Sequence, residues 1–277
     1  MSRGTSTMAE AYSPLLARIE AAAVSSAAPF VVGLSGPQGS GKSTLAQQWL
    51  QRMQTRGLSC AALSLDDFYL TRAQRRSLSE RVHPLLAIRG VPGTHDVRLA
   101  SETLNALRAT RSVALPSFDK ARDDRRPAAQ WPRVAAPVQV VIFEGWCVGA
   151  VPQDELLLAT PVNALEREHD ADGRWRRYVN ATLARDYQPL FRELDMLVLL
   201  KAPSFDVVFE WRREQELTRR QHDSGAAGVM TDEQLRWFIQ HYERLTRHIL
   251  EEMPARADVV IELDERRLPV PFPAQRR

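Results

Sequence analysis

Eight consecutive residues, from Gly36 to Ser43, carry the clearest chemical pattern in the chain. They read GPQGSGKS and fit the phosphate-binding loop pattern G-x-x-x-x-G-K-[ST] at every fixed position. Glycines in such a loop allow the positive φ angles that point backbone N–H groups inward around a phosphate. The pattern predicts a nucleoside triphosphate site in which Lys42 neutralises the β and γ phosphates and the Ser43 hydroxyl binds Mg²⁺. The residues predicted to bind the nucleotide are Gly36, Pro37, Gln38, Gly39, Ser40, Gly41, Lys42, Ser43 and Thr44.

The segments on both sides of this loop agree with the pattern, which requires a buried strand before the loop and a helix after it. Residues 30–34 are a short apolar run rich in strand formers. Residues 44–54 favour a helix and place Leu45, Trp49 and Met53 on one face. The alternative, a glycine-rich surface turn, explains neither flank.

Two adjacent carboxylates, Asp66 and Asp67, follow the next apolar run. Phosphoryl transfer to a hydroxyl needs a group that accepts the hydroxyl proton, and a carboxylate near Mg²⁺ and the γ-phosphate suits that task. Asp67 and the nearby Tyr69 are predicted to contact the acceptor. An Asp-rich turn that caps the next helix is the structural alternative.

Glu144 ends the apolar run 140–143 and occupies the position of a Walker-B carboxylate. Mg²⁺ usually takes one or two protein oxygens together with phosphate oxygens and waters. Ser43 and Glu144 are therefore the predicted metal ligands.

Two loops rich in Gly, Pro and charged residues, 86–96 and 116–120, are predicted to hold the acceptor. Their basic side chains suit a carboxylate or a phosphate, although a solvated loop is an equal alternative. The predicted acceptor residues in and near these loops are Arg89, His95, Asp96, Asp119, Lys120 and Arg125.

A helix that follows the fourth apolar run contains Arg212 and Arg213. A planar guanidinium spreads positive charge over a transferring phosphoryl group, so these arginines are predicted to stabilise it. An ordinary basic helix face is the alternative.

The chemistry-bearing residues follow strand-like runs that alternate with helical segments. Strand-like runs lie at 30–34, 60–65, 138–143, 196–200 and 258–262. Helical segments lie near 42–56, 97–109, 174–192, 204–221 and 231–252. This alternation predicts an α/β fold with a parallel sheet covered by helices on both faces, and in such sheets ligands bind at the carboxyl ends of the strands.

The chain as a whole is predicted to contain one catalytic domain, residues 28–267, between an N-terminal extension, 1–27, and a tail, 268–277. The net charge is only +3 and the basic residues are scattered, so nucleic-acid binding is not expected. No apolar run is long enough for a membrane span, and two isolated cysteines give no disulfide framework. These features predict a cytoplasmic protein with a small-molecule substrate, and they leave its oligomeric state open.

The motif order GPQGSGKS, SLDDFYLT, HPLLAIRGVPGTHD, LPSFDK, FEGW, WRREQE resembles the plant-type D-glycerate 3-kinases and their fungal and bacterial relatives, a branch near phosphoribulokinase, uridine kinase and pantothenate kinase. The similarity spans roughly residues 29–265, and the RGVPGTHD and PSFDK segments are its specific part. The resemblance implies a P-loop fold with strand order 2-3-1-4-5, ATP and Mg²⁺ as cofactors, and transfer to the 3-hydroxyl of D-glycerate. It also implies that Asp66 is the general base and Glu144 the carboxylate near magnesium.

One departure from the plant pattern concerns the acceptor. The segment between the FDK motif and Trp131-Pro132 is shorter here, and Asp124-Arg125 is the nearest match to a Gly-Asp-Arg stretch. A kinase for another polyol, a nucleoside or a pantothenate-like acceptor therefore stays open. A slow nucleotide-dependent switch is a further alternative. The sequence argues against it, because it contains neither an N-K-x-D segment nor an ABC-type signature.

Overall fold

A five-stranded parallel sheet forms the centre of the computed structural model, which describes residues 12–109, 111–222 and 230–270. Its strands are β1 Phe30–Ser35, β2 Cys60–Ser64, β3 Val140–Gly145, β4 Met196–Lys201 and β5 Val259–Glu262. They lie in the order β2-β3-β1-β4-β5, which confirms the 2-3-1-4-5 order implied by the resemblance. Every residue of β3 is buried, as expected for a strand covered on both faces.

The register brings the functional strand ends together. β1 pairs with β3 so that Leu34 lies beside Glu144, and β2 pairs with β3 so that Ser64 also lies beside Glu144. The segments that leave β1, β2 and β3 therefore start at one edge of the sheet.

Helices surround this sheet, and most of them lie where the apolar spacing predicts them. Their bounds are α1 Ser13–Ser25, α2 Lys42–Thr55, α3 Arg72–Arg81, α4 Val97–Arg108, α5 Ala164–His169, α6 Arg174–Thr182, α7 Gln188–Phe191, α8 Asp206–His222 and α9 Asp232–Glu252. The helical segment expected at 174–192 is present, but a π-helical turn, Leu183–Tyr187, separates α6 from α7.

Helix α3 is not anticipated by the hydrophobic pattern. It is strongly polar, and the buried side chains on it are Arg75 and Leu78. A capping box between Thr71 and Gln74 starts it: the Thr71 side chain accepts from the Gln74 N–H, and the Gln74 side chain accepts from the Thr71 N–H. Capping chemistry rather than apolar periodicity marks this helix in the sequence.

The N-terminal end of the described chain packs into the core, and the C-terminal end pairs with the last strand. Helix α1 lies in the predicted N-terminal extension, and it buries Leu16 and Ile19 in the same hydrophobic core as Trp49. The start of the predicted tail returns to the sheet, since the Val270 N–H donates to the Glu262 carbonyl at 2.8 Å. Residues 271–277 lie outside the described residues, and the domain boundaries stay predictions. No helix among the described residues has the length and apolar character of a membrane span.

Candidate active site

One cavity of about 480 Å³ opens at the carboxyl edge of the sheet. The predicted residues that line it are Gln38, Gly39, Lys42, Ser43, Asp66, Tyr69, Arg89, Lys120 and Arg212. They come from the loop after β1, the turn after β2, two long loops and helix α8. The fold therefore brings together side chains that the sequence places in five separate segments.

The loop Gly36–Ser43, called here the phosphate loop, has the backbone that its glycines permit. Gly39 and Gly41 have φ angles of 80° and 86°, which L side chains rarely adopt. A Cβ on Gly39 would lie 2.6 Å from Trp211 Cβ, so this position also requires glycine for space. Gly41 immediately precedes α2, and Lys42 begins that helix. The free N–H groups of the helix N-terminus and the Lys42 ammonium therefore face the same place, which suits a phosphate.

Polar atoms of the loop support this interpretation. The Ser40 hydroxyl and the Gln38 side-chain amide are buried and have no hydrogen-bond partner among the described residues. Ser40, Gly41 and Thr44 line an adjoining cavity of about 240 Å³. Gly36 and Pro37 contribute the backbone at the start of the loop, where the Pro37 carbonyl accepts from Lys42 Nζ at 3.5 Å.

Asp66 lies in a 3₁₀ turn, Leu65–Phe68, directly after β2. Its Oδ1 accepts a hydrogen bond from the Tyr69 hydroxyl at 2.7 Å, and its Oδ2 accepts one from Lys120 Nζ at 2.6 Å. Burial alone raises the pKa of Asp66, but Lys120 and Tyr69 stabilise the carboxylate and bring that pKa below its ordinary value. Asp66 is therefore ionised at neutral pH, with 31% of its side chain exposed.

Ser43 and Glu144 form an oxygen pair beneath the cavity. The Ser43 hydroxyl donates to Glu144 Oε1 at 2.9 Å, and Glu144 is only 5% exposed. Glu144 is positioned by β3, which lies between β1 and β2. A buried carboxylate next to the phosphate loop is the arrangement predicted for the two metal ligands.

Three further guanidinium groups line the cavity. Arg89 pairs with Asp123 and lies over the Phe118 ring at 5.5 Å. Arg212 pairs with Glu216 at 2.5 Å. Arg267, in the turn that follows β5, pairs with Glu214 and lies 3.5 Å from the Gly39 carbonyl. The cavity is thus basic both near the phosphate loop and at its far side.

Several predicted residues lie outside this cavity. Asp67 Oδ1 accepts from the Phe118 N–H at 3.0 Å, and burial raises the pKa of Asp67. This carboxylate anchors a loop and does not line the cavity. Of the two predicted arginines, Arg213 points away and pairs with Glu210 and Asp232.

The other displaced predictions have structural partners too. Asp96 caps α4 and pairs with Arg125 at 3.1 Å. Asp119 accepts from two backbone N–H groups of its own turn. His95 is 5% exposed, and its Nδ1 lies 2.7 Å from the Tyr187 hydroxyl. The four side chains of His95, Asp96, Asp119 and Arg125 thus have structural partners and do not line the cavity. Their direct contact with the acceptor stays a prediction.

Sequence reasoning also missed residues of the cavity, namely Trp146, Glu214, Gln215, Phe238, Tyr242 and Arg267. Trp146 and Tyr242 pack edge to face at 5.0 Å between ring centroids. Trp146 Nε1 donates to the Gly90 carbonyl at 2.9 Å, and the Tyr242 hydroxyl donates to the Arg89 carbonyl at 3.0 Å. A Cβ on Gly90 would lie 2.0 Å from that hydroxyl. Trp146 carried a local signal, since it follows Glu144 and Gly145 directly, and Glu214 and Gln215 lie in the WRREQE motif.

Comparisons with known proteins agree with this geometry. The profile of the phosphoribulokinase/uridine kinase family matches residues 31–153. An uncharacterized kinase of Schizosaccharomyces pombe, mug58, is 39% identical over 225 residues, which cover 77% of this chain and 78% of the relative. The chloroplastic D-glycerate 3-kinase of Arabidopsis thaliana is 33% identical over 87% of this chain and 54% of its own length. A solved structure, the D-glycerate 3-kinase of Cryptococcus neoformans, superposes with a TM-score of 0.71 at 28% identity and 98% coverage of both chains.

Proposed function

We propose that this chain, which belongs to the phosphoribulokinase/uridine kinase family, transfers the γ-phosphoryl group of ATP to the 3-hydroxyl of D-glycerate. The observation that carries the proposal is that the phosphate loop, the ionised Asp66 and the basic far side of the cavity share one space. ATP use follows from membership of a kinase family. The identity of the acceptor rests on the relatives named D-glycerate 3-kinase and on the charge of the cavity.

Asp66 is the proposed group that acts on the acceptor. Each of its oxygens already accepts one hydrogen bond, so a second lone pair on either oxygen is available for the acceptor hydroxyl. As the oxygen–phosphorus bond forms and the bond to ADP breaks, Asp66 takes the hydroxyl proton. A carboxylate of lowered pKa is a weak base, which is sufficient because a loose phosphoryl-transfer transition state needs positioning more than early deprotonation.

Arg89 is the proposed partner of the acceptor's carboxylate. It lines the cavity together with Lys120, which pairs with Asp66. Asp123 and the Phe118 ring hold its guanidinium from one side, and a guanidinium offers more donors than one carboxylate uses. A planar guanidinium binds a carboxylate with two parallel hydrogen bonds. Lys42 and Arg212 are the proposed cations for the transferring phosphoryl group.

Ser43 and Glu144 are the proposed magnesium ligands, directly or through water. Their oxygens are 2.9 Å apart, and adjacent ligands of an octahedral ion with bonds of about 2.0–2.1 Å are separated by about the same distance. The donor set of one hydroxyl and one carboxylate also fits a hard cation that takes its other ligands from phosphate and water. When bound, the ion neutralises charge on the phosphate oxygens.

Acceptor-dependent release of ADP tests this function. D-glycerate should stimulate release, whereas glycerol, uridine and pantothenate should do so much less, and ³¹P NMR should identify the product as 3-phosphoglycerate. Asp66→Asn should lower turnover by about 10²–10⁴-fold and leave the Kd of ATP nearly unchanged. Absence of stimulation by D-glycerate up to millimolar concentration would overturn the assignment of the acceptor.

A further inference from the structure

Tyr69 and Lys120 together fix the direction of the Asp66 carboxylate. Each binds a different oxygen, at 2.7 Å and 2.6 Å. Lys120 is 45% exposed and has a long, flexible side chain, whereas Tyr69 is 4% exposed and aromatic. The more rigid of the two constraints on Asp66 is therefore the Tyr69 hydroxyl.

Tyr69 is itself held by His95. The two rings stack with centroids 4.6 Å apart and planes 24° from parallel. Their backbones also pair, since the Leu70 N–H donates to the Thr94 carbonyl at 2.9 Å and the Asp96 N–H donates to the Phe68 carbonyl at 2.7 Å. The position of the Tyr69 ring therefore depends on the orientation of the His95 imidazole.

The Tyr187 hydroxyl sets that orientation. It accepts from the Gly93 N–H at 3.0 Å and lies 2.7 Å from His95 Nδ1. The hydroxyl therefore ties the imidazole to the backbone of the loop through Nδ1. Burial lowers the pKa of His95 to about 4, so the imidazole is neutral at neutral pH.

Tyr187 reaches this place from an unusual backbone. It is fully buried and is the last residue of the π-helical turn Leu183–Tyr187. A π turn adds one residue to a helix and changes the direction of the side chains that follow. Such turns occur often at functional sites, and here the turn supplies a hydroxyl to the loop behind Asp66.

We infer that Tyr187 and His95 are positioning residues, which orient Asp66 through the stacked ring and the hydroxyl of Tyr69. This inference rests on the proposed phosphoryl transfer, and it assigns His95 a role behind the cavity in place of contact with the acceptor. Neither residue touches a reacting atom. Their effect is on the direction of the Asp66 lone pairs.

A double-mutant cycle with Tyr187→Phe and Tyr69→Phe tests the inference. Each single variant should lower kcat for transfer by about 10-fold, with the KM of ATP unchanged. If Tyr187 acts through the Tyr69 hydroxyl, the double variant should be no slower than the slower single variant. Multiplicative losses would overturn the inference, because they would mean that the two hydroxyls act independently.

The ratio of transfer to acceptor-independent ADP release separates positioning from general damage. Tyr187→Phe should lower this ratio, whereas a loss of folded protein lowers both rates equally and leaves the ratio unchanged. An unchanged ratio in folded Tyr187→Phe would contradict the inference. Tyr178→Phe is the matched control on the same helical run, because the Tyr178 hydroxyl makes no hydrogen bond among the described residues. The ratio of transfer to ADP release in this variant should equal that of the wild type. Whichever acceptor supports turnover serves in this assay, so failure of D-glycerate alone would contradict only the proposed function.

Variants of His95 provide a second measurement should Tyr187→Phe fold poorly. His95→Phe keeps a flat ring against Tyr69, whereas His95→Ala removes it. Transfer relative to ADP release should therefore fall less in His95→Phe than in His95→Ala. Equal ratios in the two variants would exclude the stacking contact as the route to Asp66.

Discussion

Asp66 shows how a single residue obtains its chemical state from its neighbours. Burial opposes its charge, whereas Lys120 and the Tyr69 hydroxyl favour it, and the second influence is stronger. The adjacent Asp67 has no such cation at hydrogen-bond distance among the described residues, and burial raises its pKa while its Oδ1 holds the Phe118 N–H. Two carboxylates that are equivalent in the sequence are thus distinguished by one ion pair and one backbone contact.

Gly39 is the residue of the phosphate loop that substitution should affect most specifically. Its φ is 80°, and a Cβ at this position would lie 2.6 Å from Trp211 Cβ, so Gly39→Ala both strains and displaces the loop. Because Lys42 and the helix N-terminus depend on this loop, the Kd of ATP should rise at least about 10-fold, a loss of roughly 1.4 kcal/mol of binding free energy. Isothermal titration calorimetry measures the change.

Gly57→Ala is the matched control. Gly57 has a φ of 85°, yet a Cβ there would meet nothing within 4 Å. Backbone strain should cost each variant about 1–2 kcal/mol of free energy of unfolding, and the contact with Trp211 adds to the loss in Gly39→Ala. Only Gly39→Ala should weaken ATP binding. Equal ATP affinity in the two variants would show that the contact with Trp211 does not shape the phosphate loop.

At the scale of elements, a short hairpin supports the acceptor side of the cavity. Residues 118–119 pair with residues 124–125, and Asp123 in the turn between them has a φ of 55°. Its carboxylate pairs with Arg89 and, at 2.5 Å, with Arg75, which is 1% exposed. Both guanidinium groups also lie over the Phe118 ring, at 5.6 Å and 5.5 Å from its centroid. The hairpin thus connects polar helix α3 to the cavity.

Asp123→Asn should test this connection. Asparagine tolerates the left-handed backbone and keeps the shape of the side chain, but it removes the charge between two guanidinium groups. The free energy of unfolding should fall by about 1–3 kcal/mol, and the KM of the acceptor should rise while that of ATP stays constant. Glu102→Gln, which removes an ion pair between two exposed side chains, is the control and should change neither. A rise in both KM values would contradict a role confined to the acceptor side.

The elements that the sequence predicts well are the apolar strands and the glycine-dependent phosphate loop. The five strands and the phosphate loop are visible because buried strands are continuous apolar runs and because the loop needs glycine at fixed positions. Helix α3 has no such run. The contact between the Tyr242 hydroxyl and the Arg89 carbonyl joins residues 153 positions apart, and no local pattern encodes it. The residue types of His95 and Asp96 indicate a special role, but they cannot show whether the side chains face the cavity or the loop behind it.

At the scale of the whole molecule, positive charge is concentrated where the proposed ligands bind. The chain carries a net charge of only +3, yet five basic side chains line the cavity beside two acidic ones, Asp66 and Glu214. The basic residues are Lys42, Arg89, Lys120, Arg212 and Arg267. A cleft with an excess of one charge focuses the field and raises the local concentration of oppositely charged ligands. ATP and glycerate are both anions, so the distribution suits the proposed pair of substrates better than a diffuse polyanion.

The stability of the whole fold should depend on pH through buried histidines. Burial lowers the pKa of His95 and of His241 to about 4, and it also lowers that of the half-buried His248. In the unfolded chain a histidine has a pKa of about 6.5. Between these values the unfolded state binds protons that the folded state does not, so acidification favours unfolding. From pH 7 to pH 5 each of the two fully buried histidines should remove about 2 kcal/mol from the free energy of unfolding.

Urea denaturation at pH 7 and at pH 5 measures this loss, and His241→Phe isolates one contribution. His241 packs against the rings of Trp175 and Trp237, and its Nδ1 donates to the Phe238 carbonyl at 3.0 Å. Phenylalanine keeps the aromatic packing and removes the titrating group. The variant should be less stable than the wild type at pH 7, yet it should lose about 2 kcal/mol less on acidification to pH 5. If wild type and variant lose the same free energy between the two pH values, His241 is already protonated in the fold or remains neutral in both states, and the pH dependence arises elsewhere.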